Sequence, residues 1–78
     1  MNSQTIKLLD PVALRYDLPA RKLRASEVGT VVELLGHEAY EVEFCDAWGQ
    51  TYAHFALRKA QLIPLHNRGK ALKMALAA

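Results

Sequence analysis

Tyr40-Glu41-Val42-Glu43-Phe44 alternates apolar and acidic residues without a slip. Only an extended strand, whose side chains point to opposite faces in turn, puts Tyr40, Val42 and Phe44 on one side and both carboxylates on the other. A strand with one dry and one wet face belongs to an antiparallel sheet, because parallel strands are covered on both faces and read as unbroken apolar runs. With only 78 residues the chain has room for one such sheet and one core. A hydrophobic fraction of 51% against 23% charged residues is the balance of a folded domain.

The rest of the chain supplies partners for that strand. Val12 to Tyr16 reads as a first strand, entered at Asp10-Pro11 and left at Asp17-Leu18-Pro19, with an irregular basic loop from Ala20 to Ser26 behind it. Gly29 opens Thr30-Val31-Val32-Glu33-Leu34-Leu35, an apolar run too continuous to reveal its inward face, and Gly36-His37-Glu38 is a turn. After the alternating strand, Asp46 to Gln50 forms a hairpin loop. Thr51 to Leu57 follows, with Thr51, Ala53, Phe55 and Leu57 opposite to Tyr52, His54 and Ala56. A single turn at Arg58 to Gln61 precedes a last strand, Leu62-Ile63, stopped by Pro64. Five short strands without a long helix predict a mainly β fold, a small antiparallel SH3-like barrel over residues 1–65 whose closure would remove the sheet edges. Residues 66–78 change toward helix formers after Gly69 and read as a C-terminal extension, a short helix or a frayed tail.

Charge is segregated along the chain. Residues 27–57 carry six acids, Glu27, Glu33, Glu38, Glu41, Glu43 and Asp46, and no lysine or arginine, whereas residues 58–78 carry five basic residues and no acid. The formal net charge of +2 conceals this division. One cysteine, Cys45, excludes an internal disulfide. The start Met1-Asn2-Ser3-Gln4-Thr5 has neither a basic nor an apolar leader region, and no stretch nears the roughly 18 apolar residues of a spanning helix. A cytoplasmic protein that does not enter the membrane is the expectation.

A resemblance rests on particular residues: Leu8-Leu9-Asp10, Val12-Ala13-Leu14, Asp17-Leu18-Pro19, Gly29-Thr30-Val31-Val32-Glu33, Ala39 to Phe44, Asp46, Gly49, Thr51-Tyr52 and Gln61-Leu62. In that order and spacing they resemble a small bacterial family of unknown function, domain of unknown function family 4926, over roughly residues 6–65. The resemblance implies a compact SH3-like barrel and brings with it no catalytic residue and no cofactor.

The candidate sites are surfaces. Glu41 and Glu43 point the same way, with Glu33 on the neighbouring strand. Such a trio is ordinarily a solvated outer face, and where it has a function, docking of a basic partner suits it better than acid–base catalysis. Trp48 sits at a hairpin tip, where it either folds back to cap the barrel or stands out as a binding anchor, joined by Tyr52. His37, His54, His66 and Cys45 have the chemistry of metal ligands without a ligand spacing, so no metal and no cofactor are expected. Arg21, Lys22 and Arg24 in the loop, with Arg58 and Lys59 later, would form the phosphate-binding patch of a nucleic-acid adaptor. No base, nucleophile and orienting residue are grouped anywhere. The sequence therefore favours a non-enzymatic protein-interaction module, of which an accessory or neutralising partner of a larger bacterial protein is one specific form. The nucleic-acid adaptor is the alternative. Self-association is also expected, most simply as a two-fold dimer through Ala71 to Ala78 or through an exposed strand edge.

Overall fold

A computed structural model of the protein describes residues 5–65. Five strands, β1 (Pro11–Leu14), β2 (Val28–Gly36), β3 (Ala39–Cys45), β4 (Thr51–Arg58) and β5 (Leu62–Pro64), form one antiparallel sheet in the order β4-β3-β2-β1-β5. Two single 3-10 turns, Pro19–Arg21 and Lys59–Gln61, lie between β1 and β2 and between β4 and β5. The extension from residue 66 onward, with the Ala71–Ala78 pairing segment expected above, lies outside the described residues. Among the described residues no helix is long and apolar enough to cross a membrane.

The expected closure into a barrel is not made. β4 and β5 end the strand order, and no ladder joins them. The reason lies in the connection. Only the turn Lys59–Gln61 separates the two strands, and β5 offers three residues, the last a proline without an N–H to donate. The first strand is also shifted from its expected span of Val12 to Tyr16. It starts at Pro11, a first position where the missing N–H costs no ladder bond, and ends at Leu14, whose backbone turns to bond Glu27 and Ser26. Within the expected irregular loop, Leu18 and Leu23 form a bridge through paired backbone bonds of 2.8 and 3.2 Å, which seats Leu23 in the core.

The core lies on one side of the sheet and consists of Ile6, Val12, Leu14, Leu23, Val31, Val42, Phe44, Leu57 and Leu62. Val42 and Phe44 are wholly enclosed, as the alternation requires, and Tyr40 is half-buried at the margin. Leu57 is buried and Ala53 and Phe55 pack against the core, while Tyr52, His54 and Ala56 are exposed, so the two faces of β4 divide as its sequence divides them. Irregularities in the β2–β3 ladder between Val31 and Glu33 and between Leu34 and Gly36 explain why β2 hides its pattern: alternation is interrupted twice, and Val32, Leu34 and Leu35 are left exposed. The hairpin from Gly36 to Ala39 turns through His37 and Glu38, both left-handed at φ 53° and 61°.

At Gly29 β2 lies close against β3. A Cβ there would lie 2.7 Å from Val42 Cγ1, 2.9 Å from the Glu43 carbonyl oxygen and 3.0 Å from Phe44 Cδ2. The inward side chains of β3 occupy the space that any residue larger than glycine would need.

Candidate functional site

The outer face of β2, β3 and β4 gathers the acidic residues. Glu33 and Glu41 are directly opposite each other across the β2–β3 ladder, and Glu43, two residues along β3, faces Thr30 on one side and His54 on the other. The ladder irregularity after Val31 gives Glu33 its place, since it sets Glu33 rather than Val32 against Glu41. His54 Nδ1 lies 2.6 Å from Glu41 Oε2, and the Thr51 hydroxyl donates to Glu43 Oε2 at 2.5 Å. Neither lysine nor arginine forms an ion pair with any of the three carboxylates among the described residues; the two pairs present are His54 with Glu41 and Lys59 with Glu38. Like charges directly opposite on a sheet are destabilising, by about 0.2–1 kcal/mol for such a pair. The sheet therefore carries an acidic strip that no lysine or arginine among the described residues pairs with, at some cost to its own stability.

Trp48 stands on the β3–β4 loop and does not cap the core: 84% of it is exposed. The loop around it is ordered from below. Asp46 Oδ1 accepts from the Trp48 and Gln50 N–H groups at 2.9 and 3.0 Å, the Asp46 N–H bonds the Gln50 carbonyl, and Gly49 takes φ 81° to complete the turn. A large aromatic side chain held out on a fixed loop is a pre-formed contact, its backbone entropy already spent. Tyr52 is separately employed. Its hydroxyl donates to Glu27 Oε1 at 2.9 Å and its ring sits 6.3 Å from that of Phe44. Partial burial first, and then the Glu27 carboxylate beside it, hold the phenol above its ordinary range. Cys45 is exposed, its Sγ 3.7 Å from Thr51 Oγ1.

The basic residues fall in two segments. Arg21, Lys22 and Arg24 surround the turn after β1, with the Arg21 guanidinium 4.3 Å from the centre of the Phe55 ring. Arg58 and Lys59 stand at the end of β4, where Lys59 Nζ is 3.7 Å from Glu38 Oε2. Among the described residues no group of three His, Cys, Asp or Glu side chains is placed to hold a metal ion.

Sequence reading did not find one feature. A cleft of about 270 Å³ opens between the turn Pro19–Arg21 and β4, lined by Leu18, Pro19, Ala20, Arg21, Phe55, Ala56, Leu57 and Gln61. Its two walls are more than 30 residues apart in the chain, and the only local hint is Pro19, which starts the 3-10 turn.

Compared with known proteins, the chain belongs to the family described as a domain of unknown function (DUF4926), whose pattern it matches over residues 8–64. That span runs from the segment before β1 to the last residue of β5, so it takes in the whole sheet. No curated protein and no solved structure matches the chain.

Proposed function

We propose that this domain is a non-enzymatic protein-interaction module, which presents the acidic outer face of Glu33, Glu41 and Glu43, with Trp48 at its end, to a basic surface of a partner protein. The observation that carries the reading is the direct opposition of Glu33 and Glu41 with Glu43 beside them and no lysine or arginine paired to any of the three among the described residues. An arrangement that costs the free sheet stability is relieved when a lysine- or arginine-rich surface covers it. Trp48 supplies the apolar contact that a charged strip alone lacks, and exposed tryptophan is among the side chains that most often dominate a protein interface.

The same electrostatics disfavour a polyanion on this face. The test compares E33Q/E41Q/E43Q and W48A with the unaltered protein for retention of a protein captured from lysate, with and without nuclease treatment. The proposal expects a nuclease-resistant, stoichiometric protein that both variants lose, and that salt removes. A protein retained equally by all three forms contradicts it. Recovery of nuclease-sensitive material alone would favour nucleic-acid binding through Arg21, Lys22, Arg24, Arg58 and Lys59.

A further inference from the structure

We propose a second, independent interaction site: the free edge of β4 takes up an extended segment of a partner protein as an added strand, with an apolar side chain of that segment in the cleft beside Pro19 and a carboxylate against Arg21. β4 ends the sheet, so the backbone groups on its outer side have no ladder partner among the described residues. Edge strands are normally guarded by charged side chains, especially lysine, or by proline, and β4 carries no lysine, arginine, acid or proline before its last residue, Arg58. The cleft shows where a segment would lie. Phe55, Ala56 and Leu57 all line it, although the middle side chain of the three is outward and the other two are turned to the core. Three successive residues of a strand border one cleft only at its edge, where the backbone itself is presented.

The chemistry of the walls selects the occupant. Leu18, Phe55 and Leu57 offer apolar contact, and Arg21, already over the Phe55 ring, caps the end. From Leu18 to Arg24 there are three cations and no acid, and the flanking carboxylates hold hydrogen bonds of their own, Asp17 to the Ala25 N–H and Glu27 to the Arg24 N–H and the Tyr52 hydroxyl. An acidic segment therefore fits here, whereas the outer face of Glu33, Glu41 and Glu43 calls for a basic one. Main-chain bonds along β4 would supply affinity, and the side chains at the cleft would supply selection.

The test titrates the full chain, labelled with ¹⁵N, with a synthetic peptide as long as β4 in which threonine alternates with valine and glutamate. The expected result is saturable amide shifts at Ala53–Leu57 and Leu18–Arg21. Replacing each glutamate by lysine should abolish them, and R21Q should weaken binding roughly two- to fivefold. Methylating alternate peptide nitrogens removes the ladder without altering the protein, so binding that survives methylation overturns strand addition. Shifts confined to other residues, or none at the highest soluble peptide concentration, also overturn it. Light scattering of the free chain is the remaining arm: a dimer that the peptide cannot dissociate means that a second copy owns the edge, which refutes the proposal. E33Q/E41Q/E43Q should bind the peptide as the unaltered protein does, so failure here and failure of the acidic-face reading are separable.

Discussion

Replacing Gly29 by alanine tests the packing of β2 on β3 where a side chain has no room. The added methyl would lie 2.7 Å from Val42 Cγ1 and 2.9 Å from the Glu43 carbonyl oxygen, closer than such atoms can rest, and 3.0 Å from Phe44 Cδ2, a tight contact. Val42 and Phe44 are both fully buried, so neither can rotate away, and the carbonyl belongs to the ladder itself. Overpacking of this kind costs about 1–3 kcal/mol, and with one of the three obstructing atoms in the backbone the upper half of that range applies. Alanine also restricts the unfolded chain, which returns about 0.4–1 kcal/mol. The net expectation is a loss of about 2 kcal/mol, large against the roughly 3–5 kcal/mol that a domain of this size has. Each kcal/mol moves Tm by about 4–8 °C at this length, so Tm should fall by about 10 °C or more. Far-ultraviolet circular dichroism during thermal and urea unfolding reads the effect, since Trp48, already in solvent, is a poor reporter of the core. Gly49→Ala is the control: its φ of 81° is unfavourable for alanine but nothing lies within 4 Å, so it should cost about 1–2 kcal/mol and less than Gly29→Ala. An unchanged or raised Tm for Gly29→Ala would refute the description of the β2–β3 contact.

Three further outcomes follow from the same structure. Changing His37-Glu38 to Asn-Gly gives the two left-handed turn positions residues that accept that conformation, and should stabilise the domain by about 1 kcal/mol, less whatever the Glu38–Lys59 pair contributes, as read by urea unfolding. Asp46→Ala removes the acceptor for the Trp48 and Gln50 N–H groups; it should lower stability by about 1 kcal/mol and reduce the fluorescence anisotropy of Trp48. Tyr52 has a raised folded-state pKa, so the stability it lends is complete below pH 10 and declines as pH rises through the folded value. Tyr52→Phe should cost about 0.5 kcal/mol at neutral pH, the low end for a hydrogen bond at a half-exposed residue, and should flatten the stability profile above pH 10.

The sequence made the faces of β3 and β4 legible because their side chains alternate without interruption, and Val42, Phe44 and Leu57 are buried accordingly. It located the turn at Gly36-His37-Glu38 from its glycine, and the single turn before Leu62 from a stretch too short for a stable helix. β2 was illegible for a physical reason: two ladder irregularities break its period, and a run such as Val31-Val32-Glu33-Leu34-Leu35 gives no sign of where an extra residue is accommodated. Closure of the sheet was inferred from a general need to remove edges, but the short β5 and its terminal Pro64 leave β4 and β5 as edges. The shared side of Glu41 and Glu43 followed from strand parity, whereas the place of Glu33 opposite Glu41 depends on the β2 irregularity, and the engagement of His54 with Glu41 and of Thr51 with Glu43 needed the β3–β4 register. The cleft beside Pro19 arises where two distant segments meet, and nothing local to either encodes it.

The central claim is that the acidic face of β2, β3 and β4 receives a basic protein partner. Capture from lysate with the unaltered protein and with E33Q/E41Q/E43Q in parallel, both confirmed as folded by circular dichroism and both treated with nuclease, tests it most directly. The expected result is a stoichiometric protein present with the first and absent with the second. The same protein retained at equal yield by both would contradict it.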